Sequence, residues 1–183
     1  ITNLAIVGMS VVVPGGGGMD EFGRHVYRGL PVSGQFNETF SIETAAVQSV
    51  RQVCAEARLK IGQMPVVNLS PSLVRILQEN GIGSRVQDAF GVSSALALAS
   101  DWLESGDEEG VLVIEVQDEP QVVCTLLVME HKSALNNARP IHALVTGAAE
   151  TDGPLSASAI SGVLQEAQRV SGYKPGSIGM IES

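Results

Sequence analysis

The two cysteines, Cys54 and Cys124, are the side chains in this sequence most able to act as nucleophiles. A cysteine attacks a carbonyl as its thiolate, so a catalytic cysteine needs a basic neighbour or a helix N-terminus that lowers its pKa. Cys54 lies inside an apolar helical pattern and Cys124 inside an apolar strand pattern, and neither has a nearby basic residue at a helix N-terminus. Both are therefore predicted to be small core residues.

The histidines and serines form no recognisable motif. The histidines are His25, His131 and His142. No cysteine or histidine stands at metal-ligand spacing from them, so neither a metal nor a cofactor is predicted. Ser93 and Ser94 follow Gly91, but the second glycine of a G-x-S-x-G nucleophile elbow is missing. These small hydroxyl residues are predicted to allow close helix packing.

The glycine cluster at residues 14–18 (PGGGG) resembles a phosphate-binding loop only in composition. No G-x-G-x-x-G pattern and no Gly-Lys-Ser/Thr follows it. The helix predicted after it opens with Asp20 and Glu21, whose charges would repel a phosphate. The cluster is predicted to be a connection between a strand and a helix.

Hydrophobic periodicity predicts alternating strands and helices along the whole chain. The predicted order is β, α, α, β, α, β, α, β, β, β, α, β, which is typical of a layered α/β domain. A strand at residues 3–7 is predicted to leave through a turn at Gly8, and a helix is predicted from Ser41 to the stop signal Gly62. The helix at residues 92–104 is rich in small residues and is predicted to be central. A final strand is predicted at residues 178–181.

The composition limits the function classes. With 183 residues, the chain has the length of one domain. A net charge of −9 argues against nucleic-acid and anionic-membrane surfaces, which need clustered positive charge. No apolar stretch approaches the roughly 18 residues of a membrane helix. Two cysteines in apolar segments suit a reducing compartment, so we expect a cytoplasmic protein.

Several segments resemble the ketosynthase domains of polyketide and polyunsaturated fatty-acid synthases, which belong to the thiolase-like superfamily. The first are residues 4–10 (LAIVGMS), 14–16 (PGG) and 19–22 (MDEF). The resemblance continues through residues 43–59, 68–90, 103–108, 125–135, 141–153 and 177–182. It implies a thiolase-like α/β/α fold with a mixed sheet, truncated and forming one domain over residues 1–183.

The departures from the family pattern concern its catalytic groups. Ketosynthases carry an acyl-accepting cysteine in a Thr-Ala-Cys-Ser-Ser motif, and the alignment from Gly81 through Val86 puts Phe90 at that position. Both family histidines are expected after Ser183. A stretch of the family between Ile61 and Asn68, which supplies substrate channel and dimer surface, is expected to be deleted.

The resemblance and its departures together imply a noncatalytic structural or docking domain of a multidomain synthase. Its expected partners are neighbouring domains, namely an acyltransferase, a dehydratase, a ketosynthase or an acyl carrier protein, and also a second copy of itself. On its own the domain is expected to be no enzyme. Residues expected to form a pocket or packing surface are Ala89, Phe90, Gly91, Ser93 and Ser94.

Two alternatives remain open from the sequence. The first is a module that binds an acyl chain or an acyl carrier protein, with Phe90 and residues 93–99 as a pocket wall. The second is a residual acyltransfer enzyme that uses Cys54 or Cys124.

Overall fold

The computed structural model describes residues 3–14, 18–28, 40–118, 121–149 and 156–174. The glycines at 15–17, the Thr151-Asp152-Gly153 segment of the resemblance and the strand predicted at 178–181 lie outside these ranges. The strands are β1 (Leu4–Val12), β2 (Val66–Asn68), β3 (Val86–Asp88), β4 (Val111–Asp118), β5 (Gln121–Glu130) and β6 (Ala143–Val145). The helices are α1 (Met19–Tyr27), α2 (Ile42–Ala57), α3 (Val74–Glu79), α4 (Val92–Glu104), α5 (His131–Asn136) and α6 (Ala157–Ser171).

The described strands form one six-stranded sheet in the order β3-β2-β4-β5-β1-β6. β2 runs parallel to β3 and β4, whereas β4 with β5, β5 with β1 and β1 with β6 are antiparallel. The sheet is therefore mixed, as predicted. Because β2, β3 and β4 are parallel, their carboxyl ends meet at one edge of the sheet.

Side chains alternate between two apolar cores, one on each face of the sheet. Leu112 and Ile114 of β4 belong to the core that also contains the buried face of α2. Val111 and Val113 point to the other face, into the core that contains the buried residues of α4. The α/β/α layering predicted from the sequence is confirmed.

Helix α2 begins where predicted and ends early. The Ser41 hydroxyl accepts a hydrogen bond from the Thr44 amide, which is an ordinary N-cap. The helix ends at Ala57 because Arg58 adopts a left-handed conformation with φ of 55°. The prediction that it continues to Gly62 is wrong, since that glycine lies in a separate 3-10 turn, Ile61–Gln63.

Two further expectations about elements are corrected. Gly8 lies within β1 rather than in a turn, next to a register shift between Ile6 and Gly8. A Cβ at this position would lie 3.0 Å from Cγ1 of Val53, so the glycine lets α2 pack closely on the strand. The short helix α5 was not predicted, because its single buried residue, Ala134, gives no helical periodicity.

Candidate functional site

The carboxyl ends of β2 and β3 are held together by the buried side chain of Asn68. Its Nδ2 donates hydrogen bonds to Oδ1 of Asp88 at 2.9 Å and to the Ser70 carbonyl at 2.7 Å. Its Oδ1 accepts one from the Ser70 amide at 3.0 Å, and its carbonyl accepts one from the Ala89 amide at 2.9 Å. These four bonds fix the backbone immediately before Phe90.

Phe90 follows this network and precedes α4, and its side chain is fully exposed to solvent. Ala89 is half-buried against the core beneath α4, while Val92, the first residue of the helix, is 50% exposed. Gly91 is the N-cap and has an extended backbone, with no side chain capping the helix. An aromatic ring, which has no nucleophilic atom, therefore stands at the position that the resemblance assigns to the acyl-accepting cysteine.

The two serines of this segment lie in the first turn of α4 and are half-buried. The Ser94 hydroxyl donates to the Gly91 carbonyl at 3.0 Å. Its proton is thus directed to a main-chain acceptor instead of a general base. The five residues predicted for this site, from Ala89 to Ser94, lie together because they are nearly consecutive, and none of them borders the largest described cavity.

Neither cysteine has the environment of a nucleophile. Cys54 lies on the buried face of α2 with 1% of its surface exposed, and burial raises its pKa to about 11. Cys124 is half-buried on β5, and its pKa is raised by burial and, less strongly, by the negative charge of Glu115. Both thiols are therefore protonated near neutral pH.

Among the described side chains, His131 and His142 belong to no metal-ligating group. The His131 amide donates to the Asn3 carbonyl at 3.0 Å, at the start of α5. His142 borders a cavity of about 500 Å³ that is also lined by Glu56 and residues of α1. In the part of the chain that the structure describes, which leaves out the His25 side chain, no three His, Cys, Asp or Glu residues could hold a metal ion.

The largest described cavity is an open groove of about 790 Å³ between α2 and α3, which the sequence analysis missed. We call it the α2–α3 groove. It is lined by Glu43, Thr44, Val47, Gln48, Arg51, Gln52, Ile76 and Asn80. The sequence feature that could have indicated the α2 wall of this groove is a polar stripe at helical spacing, formed by Thr44, Gln48 and Arg51. The contribution of α3 depends on tertiary packing and has no such local signal.

Comparison with solved structures identifies ketosynthases as similar folds. An oxazolomycin ketosynthase domain of Streptomyces albus JA3453 is 21% identical, with a TM-score of 0.64 over 94% of this chain and 62% of that one. The ketosynthase from module 6 of the bacillaene synthase of Bacillus subtilis 168 is 14% identical, with a TM-score of 0.67 over 93% of this chain and 46% of that one.

A third similar structure is a type II polyketide synthase acyl-carrier protein in complex with its ketosynthase. It is 13% identical, with a TM-score of 0.68 over 97% of this chain and 71% of that one. The chain therefore spans less than two thirds of the first two of these ketosynthases.

Comparisons with protein-family profiles and with curated sequences gave no match. Within the described ranges, no helix combines the length and hydropathy that a membrane crossing requires. The six-stranded mixed sheet and the structural similarity agree over nearly the whole chain. The chain has the thiolase-like fold of ketosynthase domains.

Proposed function

We propose that this chain is a noncatalytic ketosynthase-like domain that serves a structural or docking role in a multidomain polyketide or polyunsaturated fatty-acid synthase. The observation that carries the proposal is Phe90 at the entrance to α4. A ketosynthase condenses acyl groups through a cysteine thiolate, and a phenyl ring cannot form the acyl thioester.

The environments of the remaining thiols support the same proposal. Cys54 and Cys124 lie on other elements, and burial raises the pKa of both. The fold, in contrast, has a core of buried apolar residues on each face of the sheet, and Asn68 uses both polar atoms of its side chain in hydrogen bonds. A domain that kept its packing but lost its nucleophile is suited to binding neighbours.

The proposed partners are neighbouring synthase domains, namely an acyltransferase, a dehydratase, a ketosynthase or an acyl carrier protein, together with a second copy of this chain. Support comes from the similar folds, which include ketosynthases from synthase modules and one in complex with an acyl carrier protein. The cytoplasm is the compartment we propose for such an assembly.

Intact-mass spectrometry after incubation with acyl-CoA and acyl-carrier-protein thioesters tests this function. We expect no acyl adduct on the domain under conditions that fully acylate an active ketosynthase domain. An adduct that disappears in Cys54→Ser or Cys124→Ser would establish the residual acyltransfer enzyme and overturn the proposal. The same experiment on Phe90→Cys tests the surrounding backbone: an acyl adduct on this variant would show that the backbone around residue 90 still supports acylation.

An acyl-binding module is the second candidate, and the exposed Phe90 and Val92 side chains favour it. Titration with an acyl-loaded carrier protein would then give saturable binding that Phe90→Ala weakens. Equal binding of the acyl-loaded and unloaded carrier would exclude recognition of the acyl chain.

A further inference from the structure

The sequence contains one Asn-Gly pair, Asn80 and Gly81, and the structure places it at the end of α3. The side-chain carbonyl carbon of an asparagine can be attacked by the backbone nitrogen of the next residue. Glycine at that next position hinders the attack least, because it has no Cβ. Asn80 is exposed, and a Cβ added to Gly81 would meet nothing within 4 Å. The pair is therefore open to water.

The folded chain holds this pair in an unreactive geometry. The Gly81 amide, which is the attacking group, donates a hydrogen bond to the Gln78 carbonyl at 3.0 Å. The Asn80 Nδ2 donates to the Ile76 carbonyl at 2.9 Å, so the side chain is held against the preceding turn of the helix. With a ψ of 8° at Asn80, the Gly81 nitrogen is nearly eclipsed with the Asn80 nitrogen and does not lie beside Cβ. The last turn of α3 must open before the two groups can meet.

The turn at residues 78–81 lies between two buried anchors. Leu77 and Ile82 are buried, and the Ile82 amide donates to the Leu77 carbonyl at 2.8 Å. Residues 78–81, in contrast, are all exposed. The ion pair between Arg75 and Glu79 is also exposed, at 3.8 Å, so it contributes little to the stability of this turn. The turn can therefore open at a lower free energy than the core on either side of it.

We propose that Asn80 is a site of spontaneous deamidation, gated by the opening of the turn at residues 78–81. The Gly81 nitrogen attacks Cγ of Asn80 and loses its proton to water. The side-chain nitrogen leaves as ammonia, which closes a cyclic imide. Water then opens the imide at one of its two carbonyls and leaves an aspartate or an isoaspartate at position 80. Water is the one co-reactant, and no atom is oxidised or reduced.

The modification changes the α2–α3 groove, because Asn80 is one of its lining residues. The lining already contains the carboxylate of Glu43, so the product adds a second negative charge to it. A carboxylate has no N–H, so the hydrogen bond to the Ile76 carbonyl is lost as well. An aged chain therefore presents a different groove from a newly made one, with a less stable end of α3.

Trypsin isolates the site, since Arg75 and Arg85 bound the peptide 76–85 (ILQENGIGSR), in which Asn80 is the only asparagine. The intact chain is incubated at mildly alkaline pH, with one sample folded and one in concentrated urea. Each is digested at mildly acidic pH, at which deamidation is slow, and its peptides are separated and weighed. We expect the folded chain to convert this peptide slowly into two acidic isomers. The unfolded chain should convert it about tenfold faster or more, because no turn has to open.

The neighbouring tryptic peptide, 61–75, is the matched control in the same digests. It contains Asn68, which is followed by Leu69. The leucine side chain hinders ring closure, so this peptide should stay unmodified in both samples over the same time. Asn80→Gln should stop the conversion of the peptide 76–85, because its ring would be one atom larger.

Two results would overturn the proposal. A peptide 76–85 that stays unmodified in urea would show that Asn80 does not react. Equal rates in the folded and the unfolded chain would show that the turn does not control the reaction. Both comparisons use the unmodified chain, so they do not depend on whether a variant folds.

Discussion

At the scale of single residues, the segment before α4 combines a fixed backbone with an exposed apolar side chain. Asn68 has no exposed surface and uses both its amide nitrogen and its amide oxygen in hydrogen bonds to the segments that follow β2 and β3. Phe90, two residues beyond Asp88, has no comparable contact and is fully exposed. The chain thus fixes the backbone next to the position that the resemblance assigns to the cysteine, and the side chain at that position has no nucleophilic atom.

Asn68→Ala should lower the free energy of unfolding by about 1–3 kcal/mol, because the half-buried Ser70 loses the partner of both its amide and its carbonyl. Urea denaturation measures this. Asn80→Ala is the matched control: Asn80 is exposed and its amide donates only to the Ile76 carbonyl. Equal losses in the two variants would contradict a structural role for the buried network.

Stability should decrease as the pH rises from 9 toward 11. The pKa of Cys54 is raised by burial from 9.0 to about 11, so the unfolded chain releases this proton first. The contribution of Cys54 to the free energy of unfolding is fully present below pH 9 and is lost as the pH rises through its folded-state pKa of about 11. The melting temperature should fall across this pH range, and it should fall less in Cys54→Ala. If the melting temperature of Cys54→Ala falls as steeply as that of the unmodified chain, Cys54 is not the cause of the decrease.

At the scale of elements, the helices and strands that have a local pattern in the sequence were predicted correctly, and the features that depend on tertiary packing were not. Helix α4 was predicted at residues 92–104 and found at Val92–Glu104, because its apolar residues alone define its buried face. The early end of α2 depends on the left-handed Arg58, a conformation that glycine more often adopts. The exposure of Phe90 and the groove beside α3 depend on tertiary packing, which no local pattern encodes.

Helix α6 depends on close approach to Gly147. A Cβ at this position would lie 2.7 Å from the Ala167 carbonyl oxygen and 2.9 Å from Cβ of Ser171. Gly147→Ala should therefore displace α6 and increase hydrogen exchange of its amides.

The control for this prediction is Gly162→Ala within the same helix. A Cβ there meets nothing within 4 Å, and alanine favours a helix by about 0.5–1 kcal/mol over glycine. This variant should leave exchange unchanged or slow it. Faster exchange of the α6 amides in Gly162→Ala than in Gly147→Ala would contradict the prediction.

At the scale of the whole molecule, the largest described cavity and the exposed apolar side chains lie on different layers. The α2–α3 groove belongs to the layer of α2 and α3, whereas Phe90 and Val92 lie at the start of α4 on the other face of the sheet. Exposed apolar side chains on α6, Ile160 and Leu164, add to the surface outside the groove layer. A molecule of this form can contact different neighbours through different layers.

The exposed Phe90 should make the isolated domain associate with itself or bind an apolar dye. Phe90→Ser should lower this association and dye fluorescence without lowering the melting temperature, because the ring contributes no buried surface. Tyr27→Ser is the control, since Tyr27 is 92% exposed but lies at the end of α1. If both variants reduce association equally, the effect is general hydrophobicity and not a property of the α4 entrance.

The pairing of β1 also determines when the sheet can be completed during synthesis. Leu4 lies opposite Glu130 on one side and Val145 on the other, so among the described strands β1 has no partner until β5 has left the ribosome. At typical translation rates this delay is on the order of ten seconds. For that time an apolar nine-residue segment is open to chaperones or to aggregation. The folding yield of this chain should therefore depend on translation speed between β1 and β5.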